Sequence, residues 1–176
     1  MADDLYYGDA SLGKRLFVAT AIVTAPVIFS TAAGTGGPLL WNGSTDVNAR
    51  ILAVGFGITT ASTVAGALGL TGATGQTAAP GSTTTIDGIT NLFIGGPKPK
   101  CTAYRVGTPT NAGTFLMPFA DMSTAALTAE TPGMAWIEFN RRITVPPGAW
   151  ISPSASATLT TLVINIALMW EETPLP

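Results

Sequence analysis

The chain has 176 residues, of which 8 are basic, 10 acidic and none histidine, and 47% are hydrophobic. That length supports one domain with a real core and no need of disulfides or metal, and the apolar content excludes an intrinsically disordered chain. A net charge of −2 with a pI near 4.9 argues against a nucleic-acid-binding surface.

Charged residues make up only 10% of the chain, where about 25% is usual. A monomer of this mass exposes roughly 8,000 Å², a large surface for so few charges to keep soluble alone. No charge falls between Leu16 and Thr45, between Ile51 and Ile86, or between Ile143 and Trp170. Charge-free faces of this kind mark interaction surfaces, so a neighbouring subunit is expected to cover part of the molecule. The alternative is a monomer whose faces are kept wet by Thr and Ser.

Residues 1–15 read as an extended arm, preceding a single β-sandwich domain over 16–176. They concentrate charge in Asp3, Asp4, Asp9, Lys14 and Arg15, and carry Tyr6 and Tyr7. Acid before base is the reverse of a secretory signal's basic start, so no signal peptide is expected. The stretch Leu16–Ala33 is apolar, but Pro26, its Thr and Ser, and its length argue against a membrane span. Residues 16–30 read instead as one or two strands, broken at Pro26.

Leu39-Leu40-Trp41 follows as a short strand, closed by the turn-rich run Asn42–Asp46. From Ile51 the sequence alternates, which predicts Leu52, Val54, Phe56 and Ile58 on one face and Ala53, Gly55, Gly57 and Thr59 on the other. The small face would admit another layer closely. Ser62–Leu70 reads as a strand and Thr71–Thr85 as a loop. Short strands are expected at Thr102–Val106, Thr114–Phe119, Ala135–Phe139 and Ala149–Ser152, with one weak helix candidate at Met122–Glu130. Val145-Pro146-Pro147-Gly148-Ala149 predicts a tight turn, Pro setting φ at one corner and Gly supplying the positive φ of the next. The last strand is the clearest. Leu162, Ile164, Ile166, Leu168 and Trp170 share one face, and a strand this long belongs in the middle of a sheet. The set predicts an all-β, antiparallel, jelly-roll-like sandwich.

Little in the chain points to chemistry. Without histidine there is no Ser–His or Cys–His activation. The Gly-rich runs at Gly34–Gly37 and Gly69–Gly75 lack the Gly-Lys-Ser/Thr ending of a phosphate loop. Asp87, Asp121, Glu130 and Glu138 lie in different segments, with nothing to pair them for glycoside hydrolysis. Asp46 and Asp87 lack the ligand spacing of a calcium site. Cys101 stands alone and reads as a small buried hydrophobe. Lys98, Lys100 and Arg105 read as a solvated loop edge. No catalytic residue, cofactor or metal is expected. Trp41, Trp136 and Trp150 could stack on sugar rings, which keeps a carbohydrate-binding or adhesin module open. Trp41 and Trp150, with Asp3, Asp4, Tyr6, Tyr7, Lys14 and Arg15, are also the candidates for contacts between subunits.

The run Thr24-Ala25-Pro26 … Pro38-Leu39-Leu40-Trp41-Asn42 … Ala49-Arg50-Ile51-Leu52, with Val145-Pro146-Pro147-Gly148 and the alternating last strand, resembles small virion proteins of tailed bacteriophages. It is most similar to head cement or decoration proteins, over roughly residues 16–172. The resemblance implies a jelly-roll-like sandwich made in the host cytoplasm and incorporated in the virion. It implies self-association, expected as a homotrimer, and contact with the major capsid protein. It implies no membrane or nucleic-acid partner and no catalytic positions. A tail, fibre or minor capsid subunit is the nearest alternative.

Overall fold

The computed structural model describes residues 13–24, 38–60, 64, 66–86, 89–122, 134–156, 159 and 161–175. These form eleven strands: β1 (Leu16–Thr24), β2 (Leu39–Asn42), β3 (Val47–Thr60), β4 (Gly66–Ala73), β5 (Gly81–Thr85), β6 (Thr90–Asn91), β7 (Thr102–Thr108), β8 (Thr114–Met122), β9 (Met134–Val145), β10 (Ala149–Ala155) and β11 (Val163–Pro174). One sheet has the order β6-β1-β11-β3-β9 and the other β5-β7-β2-β10-β4-β8. All pairings are antiparallel, and β1 pairs β11, β2 pairs β10, β3 pairs β9 and β4 pairs β8. First strand with last, second with second-last, and so inward is the nesting of a jelly roll. The three remaining strands, β5 to β7, lie in chain order between β4 and β8. They widen both sheets on one side, β6 beside β1 and β7 beside β2.

Between the sheets lies one core. From β11 it takes Ile164, Ile166, Leu168 and Trp170, with Leu162 just before the strand, all at 3% exposure or less. The strand sits between β1 and β3, so both of its ladders are filled. Phe17 of β1 stacks on Trp170 with ring centroids 5.7 Å apart. From the opposite sheet come Leu40, Leu68, Leu70, Ala103 and Ile151.

Two turns follow from local chemistry. Gly148 takes φ +72°, and the Ala149 N–H donates to the Pro146 carbonyl at 3.0 Å, closing the tight turn that carries the chain from one sheet to the other. Asn42 is fully buried. Its Nδ2 donates to the carbonyls of Val47 (2.8 Å) and Val145 (2.9 Å), and its Oδ1 accepts from Ser44 N–H, so one side chain clamps both turns at this end.

The alternation expected in β3 slips. A bulge between Ile51 and Ala53, opposite Phe139–Arg142 of β9, turns Leu52 outward onto Leu16 and Met169, and Ile51 takes the core position beside Val54 and Phe56. The run Thr71–Thr85 is not one loop, because β4 continues to Ala73 and β5 begins at Gly81. Its Gly- and Thr-rich sequence hid the end of β4 and the whole of β5. The helix candidate at Met122–Glu130 and the arm's first twelve residues lie outside the described residues, apart from Met122, which ends β8. Among the described residues no helix is long and apolar enough to cross a membrane, and no group of His, Cys, Asp and Glu could hold a metal ion.

Candidate interaction surface

The outward face of the five-stranded sheet divides into two halves of different chemistry. Near the Thr24 end of β1, the outward positions are Thr20 and Ile22 on β1, Asn165 and Ala167 on β11, Gly55 and Gly57 on β3, and Trp136 on β9. None of these is charged. Together with their neighbours they line a groove of about 690 Å³. Ile22 is 56% exposed and Trp136 50%. The small face of β3 explains the groove's floor. A Cβ on Gly55 would come within 2.5 Å of the Trp136 ring, so only glycine lets the indole lie flat across the strand.

Near the Leu16 end the same face is ionic. Glu171 on β11 has a side chain only 2% exposed, and it receives Arg15 Nη2 at 3.4 Å and Arg141 Nε at 3.8 Å. Arg50 is the cross-strand partner of Glu171, so it projects from the same face with its Cβ about 5 Å away. Arg141 reaches this spot from the β9 bulge, where Asn140 and Arg141 take φ of 46° and 62°, and exposed Arg142 follows. The adjacent Glu172 points the other way. Its carboxylate accepts from the backbone N–H groups of Lys100 (2.9 Å) and Cys101 (2.8 Å) and from the Trp170 indole (3.4 Å). It thereby pins the β7 entry to β11. Burial, and secondly this carboxylate, push the Cys101 thiol well above its ordinary range. Composition gave no sign of these two buried carboxylates; only their place at the end of a central strand distinguishes them from solvated charges.

A third feature sits on the turn after β6. Ile94 is 94% exposed, flanked by Leu92 and Phe93. The turn is braced: the Asn91 side chain donates to the carbonyls of Lys14 and Pro97, both at 3.0 Å, and accepts from Phe93 N–H, while Lys14 Nζ lies 4.9 Å from the Phe93 ring centre. An isoleucine held out in water on a locked turn is a knob with no socket among the described residues.

Of the residues singled out from sequence, Asp3, Asp4, Tyr6 and Tyr7 lie outside the described residues. Lys14 braces the Ile94 turn and Arg15 joins Glu171. Trp150 is 5% exposed and packs with Leu39, Tyr104 and half-buried Trp41 on the outer face of the other sheet, under the loops around Gln76 and Gly113. Trp41 and Trp150 are thus on the opposite sheet from Trp136, and the three indoles form no common platform. Ile22 and Ile94 were not singled out. Ile22 is the large apolar residue of β1 that is left exposed, at an outward position the alternation of that strand contained. Comparisons with models of known protein families, with curated proteins and with solved structures gave no match.

Proposed function

We propose that the chain is a non-enzymatic structural subunit of a virion, a cement or decoration protein that binds the outside of a phage head lattice and stabilises it. The observation that carries this reading is the uncharged half-face of the five-stranded sheet, with Ile22 and Trp136 half exposed around an apolar groove. An apolar patch beside a polar rim fits a protein contact, where aromatic anchors supply most of the binding energy. A jelly roll suits the role because it stacks two sheets into a rigid block and recurs in capsid and lectin domains. The step from subunit to phage head rests on the resemblance in the order of sequence elements. The separation of Trp136 from Trp41 and Trp150 weighs against a multi-ring sugar platform. Quantitative mass spectrometry of purified particles tests the proposal. A copy number comparable with that of the main shell subunit supports it, a few copies per particle would move the protein to the tail or fibre, and absence from particles would refute it.

A further inference from the structure

The Ile94 turn and the apolar groove are a knob and a hollow on one sheet that cannot meet within one chain. Ile94 is 94% exposed, with Leu92 and Phe93 exposed just before it. The turn is rigid. Gly95 takes φ +81°, the Gly96 N–H donates to the Phe93 carbonyl at 2.8 Å, and a Cβ on Gly96 would come within 2.6 Å of the Asn91 amide. The Leu92 N–H donates to the Leu16 carbonyl at 2.9 Å, which fixes the turn at the Leu16 end of β1. The groove opens at the other end, between Ile22 and Trp136, over a floor of Gly55, Gly57 and Ala167. From Phe17, the partner of β6, the way to it runs along β1 to Ile22 and across β11 to β3. At about 3.3 Å per residue and about 4.8 Å per strand, that separation is roughly 20 Å.

We infer that the Ile94 turn of one copy seats in the groove of a second copy of the chain, with Ile94 between Ile22 and Trp136. The groove, at about 690 Å³, has the size of sites that take a drug-sized ligand, ample for the side chains of one turn. Charge complements the shape. Lys14, whose ammonium lies over the Phe93 ring, is exposed beside the turn, and exposed Lys98 follows it in the chain. On the groove side, exposed Glu138 follows Trp136 in the alternation of β9 and shares its face. A braced turn loses little freedom on docking, and an indole sealed under an aliphatic side chain is the kind of anchor that dominates interfaces. Knob and groove are different patches, so the contact is head-to-tail. Each subunit gives one knob and receives one, and the contacts close into a ring where the rotation allows. This inference names the partner of the uncharged half-face, and rests on the reading of the chain as an assembling subunit.

Two full-length variants test it, Ile94→Asp to remove the knob and Ile22→Asp with Trp136→Lys to block the groove. All three side chains are half exposed or more, so both variants are expected to keep the β circular dichroism of the wild type. Each variant alone is expected to sediment as a smaller species than the wild type, its self-association weakened about thirtyfold or more. Mixed in equal amounts, the two are expected to pair, because the knob of one still meets the groove of the other, and to stop at a dimer. Should the groove variant unfold, Ile94→Cys mixed with Ile22→Cys replaces it, buried Cys101 staying out of reach. Under mild oxidation the mixed disulfide dimer is then expected to exceed its statistical share several-fold. An Ile94→Asp chain that assembles like the wild type overturns the contact and leaves the assembly reading standing. So does a mixture that yields no paired species or, for the cysteine pair, no excess of the mixed disulfide. A wild type that stays monomeric at every concentration sinks both.

Discussion

Glu172 shows how much one side chain holds here. It satisfies two backbone donors and an indole within an apolar setting, so Glu172→Ala leaves the Lys100 and Cys101 N–H groups without their acceptor. Each buried donor stranded in this way costs about 1–3 kcal/mol. Urea unfolding at neutral pH should show a loss in that range or above, with an unchanged slope. Ile164 and Asn165 give a sharper contrast. Ile164 is fully buried and Asn165 exposed on the opposite face. Ile164→Ala should cost about 2–5 kcal/mol through lost burial and the cavity left behind, and Asn165→Ser within about 0.5 kcal/mol, as at an open surface. Equal small losses would mean the strand's register is slipped by one residue. Cys101 gives a pH signature. Its folded pKa lies above the ordinary value of a thiol, so the stabilisation is fully present below that ordinary value and is lost as pH rises beyond it, where the unfolded chain releases the proton and the folded one does not. Alkylation at pH 8 should therefore be slow in the folded protein and fast in denaturant, and Cys101→Ala should flatten the alkaline fall in stability.

At the scale of elements, β11 and the Pro146–Gly148 turn were legible because each rests on local rules, a period of two and the φ preferences of Pro and Gly. The β3 face was legible only in part. Its alternation is real from Val54 on, but the bulge is imposed by β9, and nothing in Ile51-Leu52-Ala53 records the residues looped out opposite. Strands β5 and β6 were missed because short edge strands rich in Gly, Thr and Asn look like loop. The candidate surface was half legible. The charge-free windows foretold an uncharged face, whereas the ionic end of the same sheet is drawn from β3, β9, β11 and the residue before β1, which are distant in sequence. Gly55 connects element to surface. Gly55→Val should displace the Trp136 ring, raise its exposure to acrylamide quenching and impair assembly, with the β circular dichroism retained.

For the whole molecule, the accessible surface is 8616 Å², close to what mass alone dictates, so this jelly roll is folded like an ordinary small domain. It differs from one in how little of that surface is charged. The apolar groove, the braced Ile94 turn and the ion pairs of Glu171 all lie outside the core. We propose that the chain works by association. Sedimentation velocity across the micromolar range, on the wild type and on Ile22→Asp with Trp136→Lys, tests it most directly. The wild type is predicted to sediment as an oligomer, expected as a trimer, and the variant as a smaller species with the same β circular dichroism. A single 17.9 kDa species for the wild type at every concentration would contradict it.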